Sequence, residues 1–189
     1  MSHIINRRAI FVVILLSSLL LYGCSGEDPS EQADQAIKNA NEHISEHNRL
    51  FDEARSTYTQ AKQRIESGDD PSQQKDSITE AKRTLEEARQ QLEDAQESLS
   101  TVDDLDVDPA VKEYANLLSD AMDAQLAAEA KEIQFYGILE GDPALENNRE
   151  RAVDLLSEVG AGYREAEEAY AKAQELADSN PNLIEAPAG

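Results

Sequence analysis

Apolar side chains recur through most of the chain at alternating steps of four and three residues. An average spacing of about 3.5 residues places such side chains along one side of a helix and is typical of coiled coils and four-helix bundles. The pattern predicts a first helix over residues 30–67. Its apolar side comprises Ala33, Ile37, Ala40, Ile44, His47, Phe51, Ala54, Tyr58, Ala61 and Ile65.

The same spacing predicts a second helix over residues 72–101 and a fourth over 144–178. Between them, residues 110–139 carry a wider apolar surface with several alanines, which predicts a third helix that contacts more of its neighbours. The predicted core positions are Ile78, Ala81, Leu85, Ala88, Leu92, Ala95, Leu99 and Val102 in the second helix, Val111, Ala115, Leu118, Met122, Leu126, Ile133 and the run 135–139 in the third, and Ala152, Leu156, Val159, Tyr163, Ala166, Tyr170, Ala173 and Ala177 in the fourth.

An Asp-Pro dipeptide occurs four times, at residues 28–29, 70–71, 108–109 and 142–143. Asp is a preferred N-cap residue, and Pro suits the first position of a helix, so these dipeptides predict four helix starts. The predicted connections are short, which forces consecutive helices to run antiparallel. We therefore predict an all-α fold, an antiparallel up-down four-helix bundle with coiled-coil-like packing over residues 30–180, followed by a flexible tail over 181–189.

The N-terminal segment has a different character. Arg7 and Arg8 precede an uncharged run over residues 9–22, which ends at Gly23 and Cys24. A basic start, a short apolar run and a small residue at its end form the layout of a secretory signal peptide. The run is short for a membrane-spanning helix, which needs about 20 apolar residues.

The end of this run, Leu21-Tyr22-Gly23-Cys24, resembles the lipobox of prokaryotic lipoproteins. The resemblance implies a signal peptide over residues 1–23 that is removed before Cys24, a diacylglyceryl thioether on the Cys24 sulfur, and a lipidated tether over residues 24–29. The alternative is an uncleaved N-terminal anchor helix in which Cys24 has no role. Both interpretations place the remainder of the chain on the extracytoplasmic face of a cell membrane or in the cell envelope.

The single cysteine and the net charge narrow the possible covalent cross-links and the possible partners of the chain. Cys24 is the only cysteine, so the chain has no disulfide framework, and acylation explains an unpaired thiol in an exported protein. The net charge is −22, and removal of residues 1–23 makes it 15 − 39 = −24 because Arg7 and Arg8 are lost. Such a charge repels nucleic acid, which we do not expect as a partner.

His43 and His47 are the candidates for metal binding, because two histidines four residues apart on a helix can chelate a transition metal. Ile44 follows His43, so the zinc-hydrolase motif with a Glu after the first His is absent. His47 also falls on the apolar side of the first helix, where a hydrogen-bonded core histidine is the alternative.

The acidic stretch over residues 103–108 resembles a calcium-binding loop, with Asp104, Asp106 and Asp108 at its first, third and fifth positions. Pro109 replaces the turn glycine and Ala115 replaces the bidentate glutamate, which excludes an EF-hand. Loose binding of a divalent cation by this stretch stays open.

No catalytic motif is present, and we expect neither an enzyme nor a cofactor. Gly160 and Gly162, inside the fourth helix, predict a kink or a close helix approach. The expected function is a membrane-anchored structural or protein-interaction module with a protein partner of unknown identity. The alternative is a bundle that binds a metal or a small solute near His43, His47 and the acidic stretch.

A tyrosine set is expected in the core, namely Tyr114, Tyr136, Tyr163 and Tyr170.

Overall fold

The structure, a computed structural model, describes residues 28–181 and Leu183. Four helices make up this part of the chain: α1 (Pro29–Glu66), α2 (Lys75–Ser100), α3 (Pro109–Gly141) and α4 (Arg149–Ser179). Short 3₁₀ turns over Pro71–Gln74 and Thr101–Asp104 lead into and out of α2. The described residues contain no strand, so the predicted all-α class is confirmed.

Residues 1–27, 182 and 184–189 lie outside the described part of the chain. The predicted signal peptide, Cys24 and most of the predicted tether therefore stay predictions. Of the predicted tail, residue 181 and Leu183 are described, and the backbone N–H of Leu183 donates to the carbonyl of Asn180 at 2.8 Å.

Three of the four Asp-Pro dipeptides begin helical structure as predicted. The carboxylates of Asp28 and Asp108 accept the backbone N–H two residues later, at 3.0 and 2.8 Å, and so cap α1 and α3. Asp70 makes the same bond, at 2.9 Å, but caps the 3₁₀ turn that continues into α2. Each bond satisfies a backbone donor that the first turn leaves without a helical partner.

The prediction that Asp142-Pro143 starts the fourth helix at residue 144 was wrong. Asp142 directly follows α3, and its carboxylate accepts the backbone N–H groups of Glu146, Asn147 and Asn148 at 2.9–3.0 Å. These bonds hold a compact loop closed, and α4 begins only at Arg149. Asp142 thus accepts from the end of the loop and not from a helix beginning beside it.

Consecutive helices pack along their lengths, α1 on α2, α2 on α3 and α3 on α4. Their antiparallel order is visible in two pairs between α2 and α3: Lys82 contacts Glu140, whereas Gln96 contacts Asp123. Within the described residues, α1 and α4 lack such extended backbone contact. Long side chains bridge them instead, as where the Phe51 and Tyr163 rings meet edge to face at 5.6 Å.

The predicted core of the second helix is confirmed at every position: Ile78 to Leu99 are buried in α2, and Val102 is buried in the 3₁₀ turn that follows it. In α4 the buried position is Leu155, which is 8% exposed, and the predicted core residue Leu156 is 45% exposed. The reason is that α4 packs extensively on α3 alone, so its buried side is a narrow stripe. That stripe comprises Ala152, Leu155, Val159, Ala166 and Ala173.

The apolar core is divided into two clusters along the bundle. The first cluster draws on the beginning of α1, the end of α2 and residues 114–126 of α3. The second cluster draws on residues 50–61 of α1, the beginning of α2 and residues 135–139 of α3. On α1 and α3, the boundary between the clusters is occupied by polar side chains.

Candidate functional site

A layer of polar side chains crosses the bundle between the two apolar clusters. We call it the polar layer and define it as His47 on α1, Gln125, Glu129 and Glu132 on α3, and Tyr163 on α4. The three α3 residues are spaced at steps of four and three, so they lie on one side of that helix. Burying carboxylates is costly unless they are paired and hydrogen-bonded, so each bond in the layer matters for stability.

His47 and Glu129 form the centre of the polar layer, and both residues are 0% exposed. The imidazole Nε2–H of His47 donates to Oε1 of Glu129 at 2.8 Å. The side-chain amide of Gln125 donates to the same oxygen at 3.0 Å. The other carboxylate oxygen, Oε2, is buried without a hydrogen-bond partner among the described residues. His47 is thus a hydrogen-bonded core residue.

Glu132, two turns closer to the second cluster than Gln125, accepts from two tyrosines. The Tyr136 hydroxyl donates to Oε1 at 2.7 Å, and the Tyr163 hydroxyl donates to Oε2 at 2.6 Å. The Arg55 guanidinium also approaches Oε2, at 3.5 Å from its Nη2 atom. Two short hydroxyl bonds from different helices fix the orientation of this carboxylate.

Arg55 lies at the outer edge of the polar layer. Its guanidinium carbon stands 4.4 Å from the centre of the Phe51 ring and 4.8 Å from the centre of the Tyr163 ring. A cation over an aromatic face is attracted by the ring quadrupole. Burial is the largest single influence on the pKa of Arg55 and would lower it, but the charges of Glu132, Tyr163 and Tyr136 and the Glu132 hydrogen bond together outweigh burial and raise the pKa.

Burial and the charge of Glu132 also act on the surrounding tyrosines. Together they raise the pKa of Tyr58 to about 12, with a smaller contribution from Glu66. The same two causes raise the pKa values of Tyr136 and Tyr163 well above the ordinary tyrosine range. These hydroxyls therefore stay protonated as donors over the whole physiological range.

A close helix approach accompanies the polar layer. A Cβ atom on Gly162 would lie 2.9 Å from the Cβ of Ala128 and 3.3 Å from its Cα, so only glycine allows this separation of α3 and α4. The predicted close approach is confirmed at Gly162. Gly160 has open space, with only the end of the Arg164 side chain nearby.

The structure places the two candidate metal ligands in different surroundings. His43 faces α2, where its Nδ1 lies 3.0 Å from Oε1 of Gln91, whereas His47 faces α3. In the acidic stretch, Asp103 contacts Lys112 through its carbonyl and Asp108 caps α3. No group of three or more His, Cys, Asp or Glu side chains between residues 28 and 181 is arranged to hold a metal.

The tyrosine set divides between the core and its edge. Tyr114 and Tyr136 are buried as predicted. Tyr163 is half-buried within the polar layer, and Tyr170 is half-buried against the first apolar cluster. The carboxylates of Glu129 and Glu132 were not predicted as site residues. One pattern pointed to Glu129: the apolar steps of the third helix run from Leu126 to Ile133 and pass over residue 129, where a core residue is due.

No family model matches the chain, and comparisons with curated proteins and with solved structures found no match. Across the described residues, no helix combines the length and apolar character that crossing a membrane requires.

Proposed function

We propose that this protein is a lipid-anchored helical module on the extracytoplasmic face of a cell membrane, where its bundle binds a protein partner. The observation that carries the proposal is the apolar run ending in Leu21-Tyr22-Gly23-Cys24, with Cys24 as the only cysteine of the chain. A thiol at the end of such a run is placed for acylation. Stable attachment requires two or more acyl chains.

The position of α1 supports a bundle held close to the lipid. The helix begins at Pro29, so only residues 25–28 separate it from Cys24. Four extended residues span at most about 14 Å. The 38 residues of α1, at a rise of about 1.5 Å per residue, then project the bundle by up to about 55 Å.

The charge of the chain supports a basic partner surface. The net charge is −22 and the acidic residues are distributed over all four helices. A surface of one sign speeds association with molecules of the opposite sign and repels those of the same sign. We therefore propose a partner protein that presents basic side chains to the bundle.

Mass spectrometry of the protein isolated from membranes of expressing cells tests the anchor. We expect a chain that begins at Cys24 and carries the mass of its acyl groups. The Cys24→Ser variant is the matched control and should lack the adduct. An unmodified, full-length wild-type chain would refute the lipid anchor.

Binding of a metal or solute is a second candidate, supported by one groove. It has a volume of about 560 Å³, lies between α1 and α2, and is lined by polar side chains that include Asn39, His43, Asp94 and Glu97. Calorimetric titration of the purified chain with Zn²⁺ and with Ca²⁺ tests this function. Heat that is lost in the His43→Ala variant would support it, and no heat with either ion would exclude metal binding.

A further inference from the structure

We propose that Phe51, Tyr163 and Glu132 form a guanidinium-binding box that Arg55 fills in the free protein and that an arginine side chain of a partner occupies in its place. The box itself follows from the contacts of these four residues. The identity of the incoming group as a partner's arginine rests on the proposed function. The ligand class is a planar guanidinium ion.

The walls of the box are already suited to a cation. The Phe51 and Tyr163 rings stand at an interplanar angle of 68°, and the guanidinium carbon of Arg55 lies within 5 Å of both centres, at 4.4 and 4.8 Å. A planar guanidinium can stack on aromatic faces and donate to a carboxylate at the same time, which an ammonium cannot do. This geometry favours guanidinium over lysine-type ligands.

The carboxylate of the box is held in place without Arg55. Glu132 receives the Tyr136 and Tyr163 hydroxyls at 2.7 and 2.6 Å, and its side chain is 8% exposed. Two of the three donors on this carboxylate thus come from α3 and α4. Removal of Arg55 leaves a buried, oriented negative charge with an open position for a cation.

Arg55 is a loosely held occupant. Its side chain is 47% exposed, and its one bond to Glu132 is 3.5 Å long, whereas strong arginine–carboxylate pairs make two bonds shorter than 3 Å. Arg55 can leave by rotating its own side chain into solvent. The box also lies where α1 and α4 lack extended backbone contact, so an incoming side chain can reach it from outside.

Titration of the purified Arg55→Ala chain with methylguanidinium tests the box, with the thermal unfolding midpoint as the readout. We expect saturable stabilisation of the variant and a response at least tenfold weaker in the wild-type chain, because the tethered Arg55 competes at a high effective concentration. Methylurea, a neutral molecule of the same shape, should produce no saturable effect. The Arg55→Ala/Glu132→Gln double variant should bind methylguanidinium at least tenfold more weakly than Arg55→Ala.

A second titration, with a peptide, distinguishes binding of a free guanidinium compound from binding of an arginine side chain within a polypeptide. Acetyl-Gly-Arg-Gly-amide should bind Arg55→Ala, and the matching lysine peptide should bind more weakly. Binding of methylguanidinium but not of the arginine peptide would refute the partner's arginine and leave the lipid anchor untouched.

Two outcomes would overturn the box itself. One is the absence of saturable binding to Arg55→Ala up to tens of millimolar methylguanidinium. The other concerns folding. If Arg55→Ala loses its helical circular dichroism, methylguanidinium should restore it. Arg55→Met, which keeps an apolar side chain against Phe51, should fold and bind methylguanidinium. Failure of both would show that Arg55 is a structural residue and not the occupant of a site.

Discussion

The imidazole Nε2 of His47 lies 2.8 Å from Oε1 of Glu129, and this bond between two completely buried side chains joins α1 to α3 across 82 residues of sequence. A buried hydrogen-bonded pair of polar side chains rarely adds much stability relative to apolar residues of the same size. It does impose a strong penalty on any arrangement that separates its members. We therefore expect the pair to favour one register of α1 against α3 between the two apolar clusters.

The first prediction concerns this pair. His47→Leu leaves the Glu129 carboxylate buried without its partner, and we expect a loss of about 3–5 kcal/mol in the free energy of unfolding. Glu129→Leu should be similarly harmful. The His47→Leu/Glu129→Leu double variant should lose less unfolding free energy than the two single variants together, by more than about 1 kcal/mol, because neither side chain is left buried without its partner. Urea unfolding followed by circular dichroism measures all three.

The matched control for the pair is Arg49→Ala, which removes exposed ion pairs with Glu46 and Glu53 on the outside of α1. Solvent-exposed pairs contribute little, so this variant should unfold close to the wild type. Additive losses in the His47/Glu129 cycle would show that the two side chains act independently, and would remove the role in register.

The second prediction separates two glycines of the same helix. Gly160→Ala should stabilise the protein by up to about 1 kcal/mol, because alanine is the better helix former and the new methyl group meets only a flexible side-chain end. Gly162→Ala should destabilise it by about 1–3 kcal/mol, as overpacking of a tight contact does, since its methyl group would overlap Ala128. The two unfolding free energies give the answer directly, and an equal effect of both substitutions would contradict the close approach.

The helices of this protein are predictable from sequence because their periodicity and caps are local. The core predicted for the second helix, from Ile78 to Val102, agrees with the structure at every position, although Val102 lies in the 3₁₀ turn after α2. The polar layer was harder to predict, because the burial of Glu129 depends on His47, which is distant in sequence. The burial of Leu155 in place of the predicted Leu156 depends on which helices pack against α4. The role of Asp142 depends on the loop that folds around its carboxylate. The first two depend on residues distant in sequence, whereas the Asp142 loop is local but is not distinguished from a helix start by the Asp-Pro dipeptide.

The third prediction concerns Asp142. The backbone N–H of Asn147 contributes most to lowering the pKa of its carboxyl group. Burial, the second-largest cause, acts in the opposite direction, but the N–H of Glu146 and both donors of Asn148 add to the lowering, and the pKa falls. An acid with a lowered pKa in the folded state stabilises the fold above its unfolded pKa of about 3.9 and loses this contribution as the pH falls through the folded value. Asp142→Ala should therefore lower the melting temperature at neutral pH.

The difference between Asp142→Ala and the wild type should shrink as the pH falls from about 3.9, the unfolded pKa, towards the lowered pKa of the folded state, where the wild-type carboxylate becomes protonated. Asp154→Ala, at an exposed position of α4, is the control and should change the melting temperature little at either pH. A difference that stays constant with pH would mean that Asp142 acts through its shape and not through its charge.

The fourth prediction concerns the tyrosines around Glu132. Burial and the Glu132 charge raise the pKa of Tyr58 to about 12 and raise those of Tyr136 and Tyr163 further. Above pH about 10 the unfolded chain loses tyrosine protons that the folded chain keeps, so stability must fall as the pH rises. Each such tyrosine contributes a slope of about 1.4 kcal/mol per pH unit. For Tyr58 this contribution spans the interval from the ordinary tyrosine pKa to about 12.

Comparison of the wild type with Tyr58→Phe isolates one of these slopes, because lysine titration contributes equally to both chains and cancels. We expect the unfolding free energy of Tyr58→Phe to fall less steeply with pH, and the ultraviolet absorbance of tyrosinate in the folded wild type to appear only at strongly alkaline pH. Identical slopes would show that the Tyr58 hydroxyl titrates normally in the fold. Because Glu132 is a common cause of all three shifts, Glu132→Gln should also reduce the slope and bring tyrosinate absorbance to lower pH, which links the alkaline stability of the bundle to one buried carboxylate.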